Sequence, residues 1–538
     1  MKLRPFLLLF LVFTAAFIGA QTIHEPNNEI YKDIDRWLVQ GYVKEFLPLI
    51  RPYPAPLIDK ILNDVISNGD ADAREKAARY MSLVGPKTRF FHPGISINAE
   101  GRNSDFGFTG AIFAEGLFRL RDFLSVSYNL SMYGITDEDG ESFNVPGTYS
   151  PYPDFVSDVA NIGPVEIRQV WTSMLSTGKD DFYFQAGAAR TSFGPFYDNG
   201  VIVGPQAPRA GHFSLVYWKP RWSFEMLFQT LTATNDFGED MFASKYNIIH
   251  SYNFRLTQNL EVGLIQSLVW GGNMKFLYLV PLSYLFASQA LNDFEDNAFL
   301  GLFARWRPID TLLVNFQVFI DDFPFNDIFN GNQKYKLAGE IGTSWAPKRF
   351  YLSKLDFDYT AVFPYCYTHW TLPDENRFDT TKSRPNYLNY THMGRNLGPD
   401  LEPNSDRFSI RTLWNFLPNM DMNVSAYLIR HGNASDSARK PLLDPSGEND
   451  GTIFDDGCYV DSSGTVQKNP YEFLNFLTQD VLDTRLGGTL GLTWTFPTSF
   501  GTFKVMGEYG AEYGWNRGLI EDNNGLSHYW SIGGMWTW

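Results

Sequence analysis

The sequence predicts an all-β membrane barrel of about 18 antiparallel transmembrane strands, preceded by a short periplasmic three-helix segment. Three observations carry this. Apolar residues recur at period two from Gly94 to the end of the chain. Short turns alternate with long loops along the same stretch. Aromatic residues make up 16% of the 538 residues, more than soluble cores need and in keeping with lipid-facing rows and interfacial girdles.

Residues 1–20 read as a secretory signal peptide. Lys2 and Arg4 precede an apolar run from Phe6 to Ile18, too short to span a bilayer as a helix, and Gly19-Ala20 offers small residues for cleavage. Residues 21–92 read as the helical segment. Asn27 or Asn28 caps a first helix with Ile30, Ile34, Trp37 and Leu38 on one face, and Gly41 ends it. Pro48, Pro52, Pro54 and Pro56 break the chain, and Pro56 opens a second helix carrying Leu57, Ile61, Leu62 and Val65. A third runs from Asp70 to about Leu83 and stops at Gly85-Pro86. Lying before the barrel, these helices are expected in the periplasm.

Residues 93–538 read as the barrel. In Arg221–Thr230, Trp222, Phe224, Met226 and Phe228 alternate with Arg221, Ser223, Glu225 and Gln229, and Leu227 breaks the pattern. Leu312, Val314, Phe316, Val318 and Ile320 likewise alternate with Asn315, Gln317 and Asp321. A row against lipid and a row against a polar lumen produce this period. Strands are expected near 94–102, 106–118, 121–134, 164–177, 181–193, 211–219, 221–233, 244–257, 259–270, 298–308, 311–321, 333–346, 352–365, 406–417, 419–430, 484–496, 500–516 and 528–538. The first hairpin, at Asn103–Asp105, is short where the alternation calls for a long loop. An even strand number returns the C-terminus to the side of the helices. The last strand puts Trp530, Ile532, Trp536 and Trp538 on one face. An ending in Trp538 resembles the signal read by the barrel-assembly machinery, an expected partner together with outer-membrane lipid.

A net charge of -16 argues against nucleic acid, since no excess of Lys or Arg is available for phosphates. No Gly-x-Ser-x-Gly, His-Glu-x-x-His, Cys-x-x-Cys or phosphate-loop motif occurs, so no enzyme, cofactor or metal is expected. Asp137, Glu138, Asp139 and Glu141 form one acidic cluster, and Glu448, Asp450, Asp455 and Asp456 another. Neither has calcium-loop spacing, and both read as solvated loops. Cys366 and Cys458 are compatible with one disulfide or with two thiols. The apolar segment Phe276–Phe286 reads either as a loop folded into the lumen or as an extended piece over the barrel mouth.

Two segments carry a resemblance. One runs Asn292-Asp293-Phe294-Glu295-Asp296-Asn297 through Arg305-Trp306-Arg307-Pro308 and reaches Phe319-Ile320-Asp321-Asp322-Phe323. The other runs Asn389-Tyr390-Thr391-His392-Met393-Gly394-Arg395-Asn396-Leu397-Gly398-Pro399-Asp400 and continues to Asn404-Ser405-Asp406-Arg407. With Phe193-Gly194-Pro195, Trp37-Leu38-Val39-Gln40-Gly41 and Arg51-Pro52-Tyr53, they resemble the Wzi capsule-assembly family over nearly the whole mature chain. The resemblance implies an 18-stranded barrel closed to free flow, helices on the periplasmic side, and a role in holding exported polysaccharide at the cell surface without covalent chemistry. Surface polysaccharide is then the partner. Arg395, Asp400, Asp406 and Arg407 are the first candidates for binding it, followed by Asp321, Asp322 and Arg305. The acidic loops depart from what gripping an acidic glycan would need. A competing expectation is a porin or substrate-specific channel, for which Arg305 and Asp321 suit a pore eyelet.

Overall fold

The computed structural model describes residues 28–86, 89–136, 157–235, 240–291, 296–322, 336–348, 351–369, 385–417, 419–432 and 476–538, together with Pro26, Ile453, 458–460 and 466–468. Both acidic clusters, the signal segment and the residues 292–295 lie outside these, and so does the side chain of Asp322.

Local chemistry sets the three N-terminal helices. In α1 (Glu29–Val39), Asn28 Oδ1 accepts from Ile30 N at 3.1 Å, which decides between the two candidate caps. Gly41 follows with φ 75°, the left-handed conformation that ends the helix. α2 (Ala55–Asn68) has proline in its first turn, and in α3 (Ala71–Val84) the cap Asp70 accepts from Ala73 N at 2.9 Å.

Eighteen antiparallel strands follow and close a barrel. They are β1 (Arg89–Arg102), β2 (Asp105–Arg121), β3 (Leu124–Ile135), β4 (Val165–Lys179), β5 (Phe182–Ala189) and β6 (Ala210–Trp218). Next come β7 (Trp222–Thr234), β8 (Met241–Thr257), β9 (Leu260–Gly271), β10 (Asn297–Ile309), β11 (Leu312–Asp322) and β12 (Lys336–Trp345). The last are β13 (Leu352–Val362), β14 (Ser405–Leu417), β15 (Met420–Gly432), β16 (Leu482–Thr498), β17 (Gly501–Trp515) and β18 (Gly525–Thr537). Each expected strand is present. β18 pairs with β1 from Gly94↔Thr537 to Arg102↔Tyr529, so no edge is left open. Ser157–Ile162 adds a hairpin arm to β4, on the edge that β5 leaves unpaired.

The outward row is apolar and open to its surroundings, as at Ile97 (65% exposed), Trp306 (50%) and Ile532 (64%). A continuous apolar wall of this kind belongs in lipid. No helix among the described residues is long and apolar enough to cross a membrane.

The lumen differs from the polar interior that the alternation predicts. The N-terminal segment enters it and packs against the inward row of β6–β13. Trp37, Leu47, Ile58 and Leu62 share one buried core with Leu227, Ile249, Ile265, Phe299 and Phe319. Leu227, which interrupts the alternation in sequence, thus faces inward against the plug.

The segment Phe276–Phe286 lies in neither of its two expected places. It folds over the outer wall. A 3₁₀ turn (Phe276–Leu279) and the short helix α4 (Leu285–Ala290) cover outward residues Phe224, Phe228, Ile248, Leu268 and Trp270. The strap also satisfies polar groups on that wall. Leu285 N donates to Gln266 Oε1 at 2.9 Å, and Tyr252 OH donates to Ser283 O at 2.9 Å.

Candidate functional site

Three pieces of chain meet inside the barrel: the segment 42–54, the loop 190–209 and the stretches 363–369 and 385–404. Ile50–Arg51 pairs with Ser192–Phe193, and Gly194 N donates to Leu49 O at 3.1 Å. Arg51 packs its guanidinium over the Tyr197 ring, 3.3 Å from the centroid, and pairs with Asp35. Wall arginines hold the entering strand by its carbonyls. Arg255 donates to Phe46 O at 2.9 Å, and Arg305 donates to Leu47 O at 2.7 Å. Glu225 works from the opposite sign, accepting from Leu49 N at 2.7 Å. These bonds satisfy backbone groups that would otherwise be orphaned in a buried strand.

Toward the long-loop end, aromatic rings fill the lumen. Phe299 and Phe319 stack 4.8 Å apart at 2°, and Tyr390 lies 4.8 Å from Phe299 and 5.4 Å from Phe319. Over them sits a small hairpin, Thr391–His392 paired with Arg395–Asn396. Its His392 accepts from Thr232 N at Nδ1 (2.9 Å) and donates from Nε2 to Arg209 O (2.9 Å), which fixes the ring and its tautomer. Lys245 Nζ donates to Thr391 Oγ1 at 3.0 Å, Gly204 N donates to Leu397 O at 2.8 Å, and Asn199 Oδ1 accepts from Asp400 N at 3.3 Å.

The seven sequence candidates therefore separate. Arg395 and Asp400 are exposed on the hairpin and its exit, close enough for their charges to interact. Arg407 and Asp406 are buried. Asp406 pairs with Arg430 and accepts from Tyr359 OH at 3.1 Å, while Arg407 lies within the field of Asp358 and Glu340. Asp321 accepts from Tyr367 N at 2.9 Å, holding the loop that follows β13. Arg305 pairs with Glu261 on β9 rather than with Asp321. Side chains that sequence reasoning missed, Glu225, Arg255 and Glu261, contact the plug or the wall arginines that hold it. The one signal for them was charge on an inward row.

Cys366 is a buried free thiol, and the side chain of Cys458 lies outside the described residues. Among the described residues, no three His, Cys, Asp or Glu gather where a metal could sit.

Fold and site together define an outer-membrane-type 18-stranded barrel with an occupied lumen. No protein-family model and no curated protein matches the sequence. Among solved structures, the chain shares its fold with Wzi of Escherichia coli, described as an outer-membrane protein involved in group 1 capsule assembly and as a carbohydrate-binding β-barrel. The match has a TM-score of 0.56 at 12% identity and covers 94% of this chain and 98% of that one. OccAB2 of Acinetobacter baumannii (TM-score 0.42, 9% identity, 83% and 98% covered) and OprD of Pseudomonas aeruginosa (0.40, 8%, 83% and 94%) are more distant.

Proposed function

We propose that the protein is a non-enzymatic outer-membrane barrel that binds or attaches exported polysaccharide at the cell surface. The observation that carries this is the occupied lumen beneath a rigidly held, solvent-facing hairpin. Inward residues of β7–β11 such as Glu225, Asn247, Ser267 and Gln317 are no more than 1% exposed, so that half of the barrel leaves no aqueous path. A barrel filled in this way suits a platform better than an open pore. In this reading the long-loop end faces outward and the short-turn end, with α1–α3, faces the periplasm. The C-terminal strand ending at Trp538 serves as the assembly signal. Arg395 and Asp400 supply hydrogen bonds to sugar hydroxyls from a preorganised turn. The similarity of fold to a carbohydrate-binding barrel supports the same reading.

Deleting the gene and measuring cell-bound and shed polysaccharide tests it. Normal synthesis with increased shedding is expected; unchanged retention would sink the proposal. One observation favours a channel instead. Inward residues of β15–β17, including Asn423, Ser425, Thr489 and Glu508, are only half-buried, so solvent reaches that side of the lumen. Steady open steps in a planar bilayer would support this second reading.

A further inference from the structure

At the short-turn end, the helices fill only part of the barrel. Between them and the wall formed by β14–β18 lies an open-sided cavity of about 1030 Å³, just above the roughly 300–1,000 Å³ usual for small-molecule sites. Its two walls differ. The barrel side presents mainly neutral hydrogen-bonding groups, Asn415, Asn419, Asn423, Thr493, Thr495 and Thr502, with Asp421 and Lys504 among them. The helix side presents acidic and basic groups in near balance. Asp33 takes Lys76 at 2.8 Å and Arg36 at 2.9 Å, and Glu29 takes Lys504 of the wall at 2.8 Å. Acidic and basic side chains are equally numerous around the whole lining.

A balanced lining gives no net field to collect a polyanion or a polycation. A row of amides and hydroxyls instead suits a ligand that is itself uncharged and rich in hydroxyls, because each such group both donates and accepts. The helix side adds Trp37 and Tyr80, edge to face with centroids 6.3 Å apart. Trp37 is fully buried, so of the two rings Tyr80 is the one partly open to the cavity.

We infer that this cavity is a second binding site, for a segment of neutral oligosaccharide, on the membrane side opposite the Arg395 hairpin. It extends the polysaccharide reading to a separate site and does not use the surface residues. The chain would then contact glycan on both sides of the outer membrane, without needing the occupied half of the lumen as a conduit.

The test uses purified full-length protein in detergent and isothermal titration calorimetry with maltoheptaose, cellohexaose and an acidic oligogalacturonate. Binding of at least one neutral oligosaccharide is expected, at least tenfold tighter than the acidic one. Thr495→Trp and Asn423→Trp fill the cavity from inward positions on the wall and should weaken that binding tenfold or more. Heat-modifiable migration on gels confirms that each variant still forms a barrel. No heat from any neutral oligosaccharide overturns the inference. So does binding that survives both tryptophan variants and disappears in Arg395→Ala; that outcome would leave the surface reading standing. Loss in the cavity variants with Arg395→Ala unaffected supports the second site, even if gene deletion leaves retention unchanged.

Discussion

Arg305 on the barrel wall donates to the carbonyl oxygen of Leu47 in the entering strand at 2.7 Å. The same guanidinium pairs with Glu261, and Arg255 approaches that carboxylate at 3.4 Å. One buried network therefore ties the wall to the plug. Arg305→Leu removes the tie and leaves Glu261 with Arg255 alone. Breaking a buried pair from one side costs about 3–5 kcal/mol, and the remaining Arg255 contact places this case toward the lower end. Arg305→Leu should lower the melting temperature and cause intermittent ionic conductance in planar bilayers as the plug loosens. Adding Glu261→Leu should restore part of the stability, because the buried carboxylate is then gone and Arg255 keeps Glu45 at 4.0 Å and the carbonyls of Phe46 and Pro220. Wild-type thermal stability in the single variant would rule out this anchoring role.

A second prediction concerns acid. Burial alone would raise the pKa of Asp33, but the charges of Lys76 and Arg36, with hydrogen bonds from Lys76 and Tyr80, outweigh it and hold the carboxyl below its ordinary range. A group whose folded pKa is depressed stabilises the fold above its unfolded value and loses that contribution as pH falls. The junction of α1 and α3 should therefore be firm at neutral pH and loosen below about pH 4. Hydrogen–deuterium exchange of peptides covering Glu29–Val39, corrected for intrinsic rate, should show this loosening. Asp33→Asn should weaken the junction at neutral pH and flatten the acid response. An unaltered acid response in the variant would assign the effect elsewhere.

The candidate residues can be separated by a pair of measurements. Arg395→Ala and Asp400→Ala change exposed groups, so barrel yield and heat stability should stay within about 0.5 kcal/mol of wild type while polysaccharide retention falls several-fold. Asp406→Ala strands Arg430 and removes the acceptor of Tyr359, and should lower stability by about 1–3 kcal/mol. Full retention in Arg395→Ala and Asp400→Ala cells with normal surface levels would remove the hairpin from the site.

Most of the wall was legible in the sequence, because period two and turn length are local properties. All the strands follow from them, and the helix starts at Asn27 or Asn28 and at Asp70 follow from residue type. What covers each face was not legible. Alternation says that Phe299 and Phe319 lie on one row, but not that Tyr390 from a distant loop packs on both. The aromatic content was read as lipid-facing, yet a good part of it fills the lumen. Charge partners failed for a related reason. The period does not say across which neighbouring strand an inward charge pairs, and the register sets Arg305 opposite Glu261. The candidate site suffered most: Asp406 and Arg407 lie near the hairpin in sequence but are buried in the wall.

The strap on the outer wall yields the last prediction. Its ends are locked by Asp296, which takes Lys275 Nζ at 2.7 and 2.8 Å and Tyr278 OH, while Gln289 bonds its backbone carbonyl. Below the lock, the strap shields His250 and Gln266, polar residues on a row that otherwise meets lipid. A polar group left bare in hydrocarbon costs several kcal/mol, so the strap must be held down for those residues to be tolerated. Asp296→Ala removes the charged acceptor from the lock and should cost about 1–3 kcal/mol locally. Leu285, on the inner face of the strap, is fully buried against the wall. A Leu285→Cys probe should therefore resist a membrane-permeant maleimide in the otherwise wild-type chain and react readily once Asp296→Ala is added. Gln266→Leu should partly relieve the need for the strap, since the wall beneath would then be apolar. Equal labelling with and without Asp296→Ala would mean that packing of Tyr278 on Trp270, at 5.0 Å between ring centroids, holds the strap without the lock.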